Sequence, residues 1–193
     1  MASSMTPNQS LELITQMIKE ARSKFEEDGF VYMLWGILLF LAAGAQYVLL
    51  LNEQYSYNYY PYFFLPLGGI FTSIYYRRRG STGPKGNPIS RVISTMWIFL
   101  GANMFILGFL FAPALRDSLI PILLILQGIG IAISGISIKS QLVITAGIIA
   151  NIAGFIAFFV DWSEQPLLLS LASLAVLFIP GVILKIRYQR KHA

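Results

Sequence analysis

The sequence contains no cysteine and a single histidine, His192, which is the next-to-last residue. The first absence excludes disulfides, thiolate nucleophiles and cysteine metal ligands, and one terminal imidazole is no metal site by itself. The remaining polar residues show no spacing that would bring together a nucleophile, a base and an orienting group. We therefore predict a protein that is not an enzyme and that uses no cofactor or metal.

Charge is also scarce, since Asp, Glu, Lys and Arg make up 12% of the 193 residues whereas apolar residues make up 56%. Six long stretches contain no charged residue and no histidine. Each is about long enough to cross a hydrocarbon core of ~30 Å as a helix, although the second stretch is marginal and has aromatic flanks. Backbone polar groups inside lipid must be satisfied within their own segment, so we predict an all-α membrane protein with six transmembrane helices. The stretches are 31–51, 61–76, 92–112, 119–138, 141–160 and 167–184.

The few charges are distributed unevenly around these stretches. Of the fourteen Lys and Arg residues, all except Arg116 fall before the first stretch, in the second and fourth connections, or after the last stretch. The positive-inside rule then predicts a multi-pass protein with both termini in the cytoplasm. This placement accounts for the net charge of +5 without a nucleic-acid partner. A charged segment precedes the first stretch, so we expect that stretch to be an uncleaved anchor.

We divide the chain into three parts on this basis. Residues 1–29 are a cytoplasmic amphipathic helix, 30–186 are the six-helix transmembrane domain, and 187–193 are a basic, disordered cytoplasmic tail. The lipid bilayer is the first expected partner.

Before the first stretch, residues 6–9 have the pattern of a helix start. Thr6 fits the N-cap, Pro7 the first helical position, and Gln9 the reciprocal partner of Thr6 in a capping box. Apolar residues then recur at helical spacing and predict a continuous stripe. The opposite face mixes acidic and basic residues, whereas helices that lie on lipid usually have a basic polar face. The stripe consists of Leu11, Ile14, Ile18, Ala21 and Phe25.

This stripe is the candidate docking surface. A heptad-like stripe with a mixed polar face suits packing on protein: the chain's own loops, a second protomer or a soluble partner. Lipid is the remaining alternative. The residues predicted to dock a protein partner or a second copy are Leu11, Ile14, Ile18 and Phe25.

Four carboxamide side chains lie inside the charge-free stretches and are the candidate intramembrane polar site. They either line a cavity for a neutral ligand or bond between helices and fix their packing. We expect Asn103 and Asn151 to face other helices. No ionisable side chain lies in the middle of a stretch, as proton-coupled and charge-coupled transporters usually require. The four residues are Gln46, Asn103, Gln127 and Asn151.

The stretches also suggest three tandem helical hairpins. A small residue next to a carboxamide recurs in the first, third and fifth stretches. The second, fourth and sixth stretches each have a proline at or near their start and a small residue seven positions after that proline. In this alignment Gly68 corresponds to Gly128. Tandem repeats of this kind would be related by an axis along the membrane normal. The alternative is that small residues and prolines are simply common in membrane helices.

Several apolar motifs in the chain resemble a family of six-span membrane proteins from Bacteroidota. The resemblance covers nearly the whole chain but implies no activity, cofactor or catalytic residue. Its motifs are Leu11 to Phe25 followed by Leu34-Trp35-Gly36, Gln127-Gly128-Ile129-Gly130 through Gly135, and Ile179-Pro180-Gly181.

We therefore expect a non-enzymatic inner-membrane protein with an accessory, sensory or scaffold role, which docks a partner through its N-terminal helix. The alternative is a small channel or carrier for an uncharged or apolar solute. A continuous polar tunnel past Asn103 and Asn151 would favour the alternative.

Overall fold

A computed structural model describes residues 6–27, 29–78 and 87–192, with side chains except for those of 22–27, 76–78 and 191–192. Over these ranges the protein is all-helical and has no strand, as predicted. The α-helices are α1 (Pro7–Glu27), α2 (Gly29–Leu51), α3 (Leu65–Arg78), α4 (Pro88–Phe109), α5 (Ala112–Leu115), α6 (Leu119–Ser137), α7 (Gln141–Ala157), α8 (Gln165–Ser173) and α9 (Ile179–His192). Short 3₁₀ turns cover Tyr55–Tyr57, Tyr60–Phe64 and Arg116–Ser118, and a π-helical turn, Leu174–Phe178, joins α8 to α9.

Four helical segments of the described chain are long and apolar enough to cross a membrane: Gly29–Leu51, Pro88–Phe109, Ala112–Ser137 and Gln165–Arg190. They coincide with the first, third, fourth and sixth predicted stretches. The fifth stretch coincides with α7, which is apolar but has only 17 residues. The second coincides with α3, which has 14 residues and is preceded by a 3₁₀ turn. The expected disordered tail is wrong up to His192, because α9 continues through it.

Two of the helices end in the same backbone motif without the usual glycine. After α2, Glu53 has φ 58°, and Gln54 N–H donates to Leu49 O at 2.9 Å. After α6, Lys139 has φ 53°, and Ser140 N–H donates to Gly135 O at 2.9 Å. Such a Schellman ending satisfies the last carbonyls and turns the chain sharply. It sends α7 back along α6.

The centre of the bundle consists of α2, α6, α7 and the α8–α9 segment, which approach one another through glycines. The α8–α9 segment, called the last segment below, runs antiparallel to α2. It lies so close to α2 that a Cβ on Gly36 would be 2.7 Å from Phe178 N. A Cβ on Gly147 of α7 would lie 2.5 Å from Ala132 N of α6. Small residues permit such contact where lipid supplies no hydrophobic drive for helices to associate. We refer to the end of the bundle where α2 begins and α9 ends as the terminal end, and to the opposite end as the loop end.

α3 and α4 lie at the periphery, and each is attached by the same contact. Trp35 Nε1 donates to Thr72 Oγ1 at 3.2 Å, and Trp97 Nε1 donates to Ser134 Oγ at 3.0 Å. In both places a glycine lies against the indole and a leucine, because a Cβ on that glycine would be 2.5–2.6 Å from the leucine Cδ1. One offset of 62 residues relates Trp35 to Trp97, Leu38 to Leu100, Gly68 to Gly130 and Thr72 to Ser134.

This geometry corrects the register of the predicted repeat. Gly68 corresponds to Gly130 and not to Gly128. Gly128 lies on the side of α6 that meets α7, where it packs against Asn151. The first two helix pairs, α2–α3 and α4–α6, therefore share one packing unit. Neither tryptophan is merely part of an interfacial aromatic belt, since each ring fastens a peripheral helix to the bundle.

Candidate functional site

The N-terminal helix begins as the sequence predicts. Thr6 N–H donates to Gln9 Oε1 at 2.9 Å and Gln9 N–H donates to Thr6 Oγ1 at 3.4 Å, so both halves of the capping box are present. Within the helix, Gln16 Nε2 donates to Glu20 Oε1 at 3.0 Å. Glu20 and Lys24, and likewise Arg22 and Glu26, have the i,i+4 spacing of opposite-charge pairs, but the side chains of Arg22, Lys24 and Glu26 lie outside the described residues.

α1 is held at the terminal end of the bundle by its second half. Ala21 is 3% exposed and belongs to the same apolar cluster as Ile93 of α4 and Leu184 of α9. Asn87 adds a polar attachment, because its Oδ1 caps α4 by accepting from Ile89 and Ser90 N–H while its Nδ2 donates to Met17 O at 2.9 Å. Asn87 was not predicted as a cap, although Asn immediately before Pro88 is a recognisable N-cap signal.

The first half of α1 is open. Leu11 is 65% exposed and Ile14 is 52% exposed, although both belong to the apolar stripe. Ile18 is half-buried, and the side chain of Phe25 lies outside the described residues. A surface hollow of about 490 Å³ runs beside Leu11 and is lined by Asn8, Leu11, Glu12, Thr15, Gln16 and Lys19. The stripe thus divides into a part that holds α1 in place and a part that no described residue covers.

The four carboxamides do not converge on one cavity. Gln46 is buried, and its Oε1 accepts from Tyr62 Oη at 2.7 Å. Asn151 is half-buried against Gly128, and its Nδ2 donates to Gly147 O at 2.9 Å. Gln127 is 4% exposed, and no described residue accepts a hydrogen bond from its Nε2.

Asn103 corrects an expectation, because it is exposed on the outer surface of α4 and its Nδ2 bonds within the helix to Phe99 O at 2.8 Å. The reason is angular. α4 meets the bundle through Ile93, Trp97 and Leu100, and at 3.6 residues per turn Asn103 lies about 90° around the helix from the mean direction of these three. Small neighbours in the sequence do not reveal which side of α4 is covered.

The loop end carries an aromatic row. Ring contacts with centroids 5.3–6.0 Å apart link Tyr57 to Tyr60, Tyr60 to Phe63, and Phe63 to Phe109 of α4. Burial, and secondarily the nearby Asp117 carboxylate, raise the pKa of Tyr59 above its usual value of 10. The phenol therefore stays neutral through the physiological range and adds no charge to this end, as suits rings at a membrane interface.

Gln165 was also missed. It is buried at the start of α8, and its Nε2 donates to the carbonyls of Asp117 at 2.8 Å and Ala157 at 3.1 Å. One side chain thus ties the connection before α6, the end of α7 and the start of α8. Among the described ranges, no group of three or more His, Asp or Glu side chains could hold a metal ion.

Comparison with known proteins adds no further identification, since no protein-family model, no curated protein and no solved structure matches this chain.

Proposed function

We propose that this chain is a non-enzymatic accessory or scaffold protein of the bacterial inner membrane, and that it recruits a partner chain through the exposed half of α1. The observation that carries the proposal is the contrast along one helix: Ala21 is buried in the bundle, whereas Leu11 and Ile14 are open. A helix that packs on the bundle at one half and is exposed and apolar at the other half is suited to bind in a groove or to pack against a second helix. A sensory role is a variant of this proposal in which the partner chain receives the signal.

The proposal includes six crossings with both termini in the cytoplasm. α7 supports its own crossing, because it runs antiparallel along α6 and returns the chain to the loop end, where the last segment starts. For α3, the 3₁₀ turn Tyr60–Phe64 continues into the helix, and together they measure about 31 Å at ~2.0 and ~1.5 Å per residue. The charge distribution then places the terminal end inside the cell.

This topology predicts a specific reporter pattern. A periplasm-active reporter fused after Glu53 is expected to give signal, and the same reporter fused after Lys85 is expected to give none, because thirteen-fold charge asymmetry orients the chain. A cytoplasm-active reporter at the same two positions is the control and should give the reverse. Activity of the first reporter at both positions would refute six crossings.

The alternative of a channel or carrier for an uncharged solute lacks a comparable observation. Asn103 lies on the outside of α4 and Asn151 lies against Gly128, so these two amides do not line one path. Ile131 and Ala150, which belong to one apolar cluster of the bundle, are fully buried. We therefore prefer the docking function.

The docking function is tested by the double substitution Leu11→Glu and Ile14→Glu. Burial of a large apolar side chain contributes about 1.5–3 kcal/mol, so the loss of two should weaken the complex about 100-fold or more. A photocrosslinker at Thr15, beside both residues, reports the contact in native membranes, and size in mild detergent reports the complex. We expect the crosslinked band and the larger species to disappear together.

The matched control is Leu13→Glu, compared with the single substitution Ile14→Glu, because it adds the same charge to the same half of α1 about 100° around the helix from Ile14. It should leave crosslinking and size unchanged, whereas Ile14→Glu should weaken both. If Leu13→Glu and Ile14→Glu behave alike, or if the crosslinker reacts only with lipid or with this chain's own loops, the docking function is wrong.

A further inference from the structure

The centre of the bundle contains a polar layer between two apolar clusters. The terminal cluster includes Ile131, Ala146, Ala150 and Val176, and the loop cluster includes Leu124, Ala153, Leu169 and Ala172. Gln127 on α6, Asn151 on α7 and Ser173 on the last segment lie between residues of the two clusters, and Ser170 lies among residues of the loop cluster, one turn before Ser173. We define the polar layer as Gln127, Asn151, Ser170 and Ser173.

The layer lies near the middle of the helices that form it. Gln127 is close to the midpoint of α6, and Asn151 is close to that of α7. Ser170 Oγ donates to the carbonyl of Phe40, the midpoint of α2, at 3.0 Å. If these helices cross a bilayer, the layer is therefore deep in the hydrocarbon region, where unsatisfied polar groups are costly.

Most donors of the layer are satisfied by nearby carbonyls. Ser173 Oγ donates to Leu169 O at 2.9 Å and to Ser170 O at 2.8 Å, and Asn151 Nδ2 donates to Gly147 O. These bonds use the hydroxyl hydrogens of both serines and one of the two amide hydrogens of Asn151, and they leave the side-chain oxygens as acceptors. No described donor reaches Asn151 Oδ1 or the Oγ of either serine.

Gln127 is the exception. Its Nε2 is enclosed and has no acceptor among the described residues, in a bundle where each neighbouring polar group has found one. An enclosed donor without a partner destabilises the folded protein, and such groups are rare in native structures. The layer thus combines one donor that lacks an acceptor with several acceptors that lack a donor.

The π-helical turn Leu174–Phe178 begins directly after Ser173. Turns of this kind occur as single interruptions of α-helices and are frequent at binding sites, because the extra residue widens the helix locally. The widening here adjoins the polar layer and not either end of the last segment.

We propose that the polar layer binds one water molecule, whose oxygen accepts from Gln127 Nε2 and whose hydrogens are donated to oxygens of the layer. Water is the class of ligand that fits, because it supplies both the missing acceptor and the missing donors. An ion would find no compensating charge in this layer, and an isolated charge in an apolar interior is far more costly. A larger solute would displace Leu124, Ile131 or Val176, none of which is exposed. The inference is independent of the docking function.

Radiolytic hydroxyl-radical footprinting tests the proposal on the full chain in detergent, because water held inside a protein generates radicals beside the residues that enclose it. We expect Leu124 and Ile131, one turn either side of Gln127, to be oxidised at least five-fold faster than Val143, which is equally buried but distant from the layer. Mixing with oxygen-18 water before exposure should label these positions more slowly than it labels the exposed Phe159.

The variant Gln127→Leu should lower oxidation at Leu124 and Ile131 to the rate of Val143, and Gln127→Met provides a second variant of similar shape if the first does not fold. Gln46→Leu is the matched control, since Gln46 is an equally buried amide that already bonds to Tyr62. It should leave the two rates unchanged. Wild-type rates equal to that of Val143, or fast oxidation that persists without Gln127, would overturn the proposal.

Discussion

Gly147→Leu is expected to destabilise the protein by about 3 kcal/mol or more, or to prevent its folding in detergent. A Cβ at this position would lie 2.5 Å from Ala132 N and 2.7 Å from Ala132 Cα, which are backbone atoms of α6 that cannot turn aside. Overpacking typically costs about 1–3 kcal/mol, and it costs more when a main chain must move. α6 and α7 would have to separate along their length. Thermal unfolding followed by circular dichroism at 222 nm measures the loss.

Gly101→Leu is the matched control on α4. Nothing lies within 4 Å of a Cβ at Gly101, so the new side chain enters open space on an apolar surface. Helix propensity favours leucine over glycine by up to about 1 kcal/mol, so the midpoint temperature should stay the same or rise slightly. Equal destabilisation by both substitutions would mean that leucine at any glycine is harmful, and that the α6–α7 contact is not the cause.

Trp97→Ala and Trp35→Ala form the second pair of expected large effects, about 3 kcal/mol each. Each substitution removes an indole that packs on a glycine and donates a hydrogen bond across to the next helix. Because the two contacts repeat at one offset, the two losses should agree within a factor of two. Trp97→Phe and Trp35→Phe retain the ring packing, so each should cost about 1 kcal/mol, the contribution of the hydrogen bond.

Trp162→Ala is the control for the loss of an indole as such. Trp162 is exposed at the loop end and contacts Tyr55 with ring centroids 6.1 Å apart, so its removal should cost well under 1 kcal/mol. Denaturation in detergent, followed by circular dichroism to avoid dependence on tryptophan fluorescence, compares all three positions. A cost at Trp162 as large as at Trp97 would contradict the packing unit.

Features that depend on adjacent residues were predicted from the sequence. The capping box needs only four residues, and both of its hydrogen bonds are confirmed at 2.9 and 3.4 Å. Helical structure and four candidate spans follow from local apolar content and length, which the solvent imposes directly on each segment. The start of α4 at Pro88 could have been predicted in the same way from Asn87.

Features that depend on which helices contact one another were not predicted from the sequence. The stripe of α1 is visible as a period, but nothing in that period distinguishes Ala21, which is buried, from Leu11, which is not. Likewise, the composition of α4 does not reveal that Asn103 is exposed, or that Gly130 and not Gly128 repeats Gly68. Apolar residues occur on every side of a membrane helix. The hydrophobic pattern, which identifies the buried face of a helix in a soluble protein, therefore does not identify the face that other helices cover here.

The close contact of α2 with the last helical segment has a consequence for how the chain is made. Ser170 bonds to Phe40 across 130 residues of sequence, so α2 leaves the ribosome long before its neighbour exists. At about 5–20 residues per second, the delay is on the order of 10 s. During that interval the surface containing Gly29 and Gly36 has only lipid or an insertion factor to contact. The bundle therefore closes only after the last segment has been made, and its first helix is the one most dependent on protection during that delay.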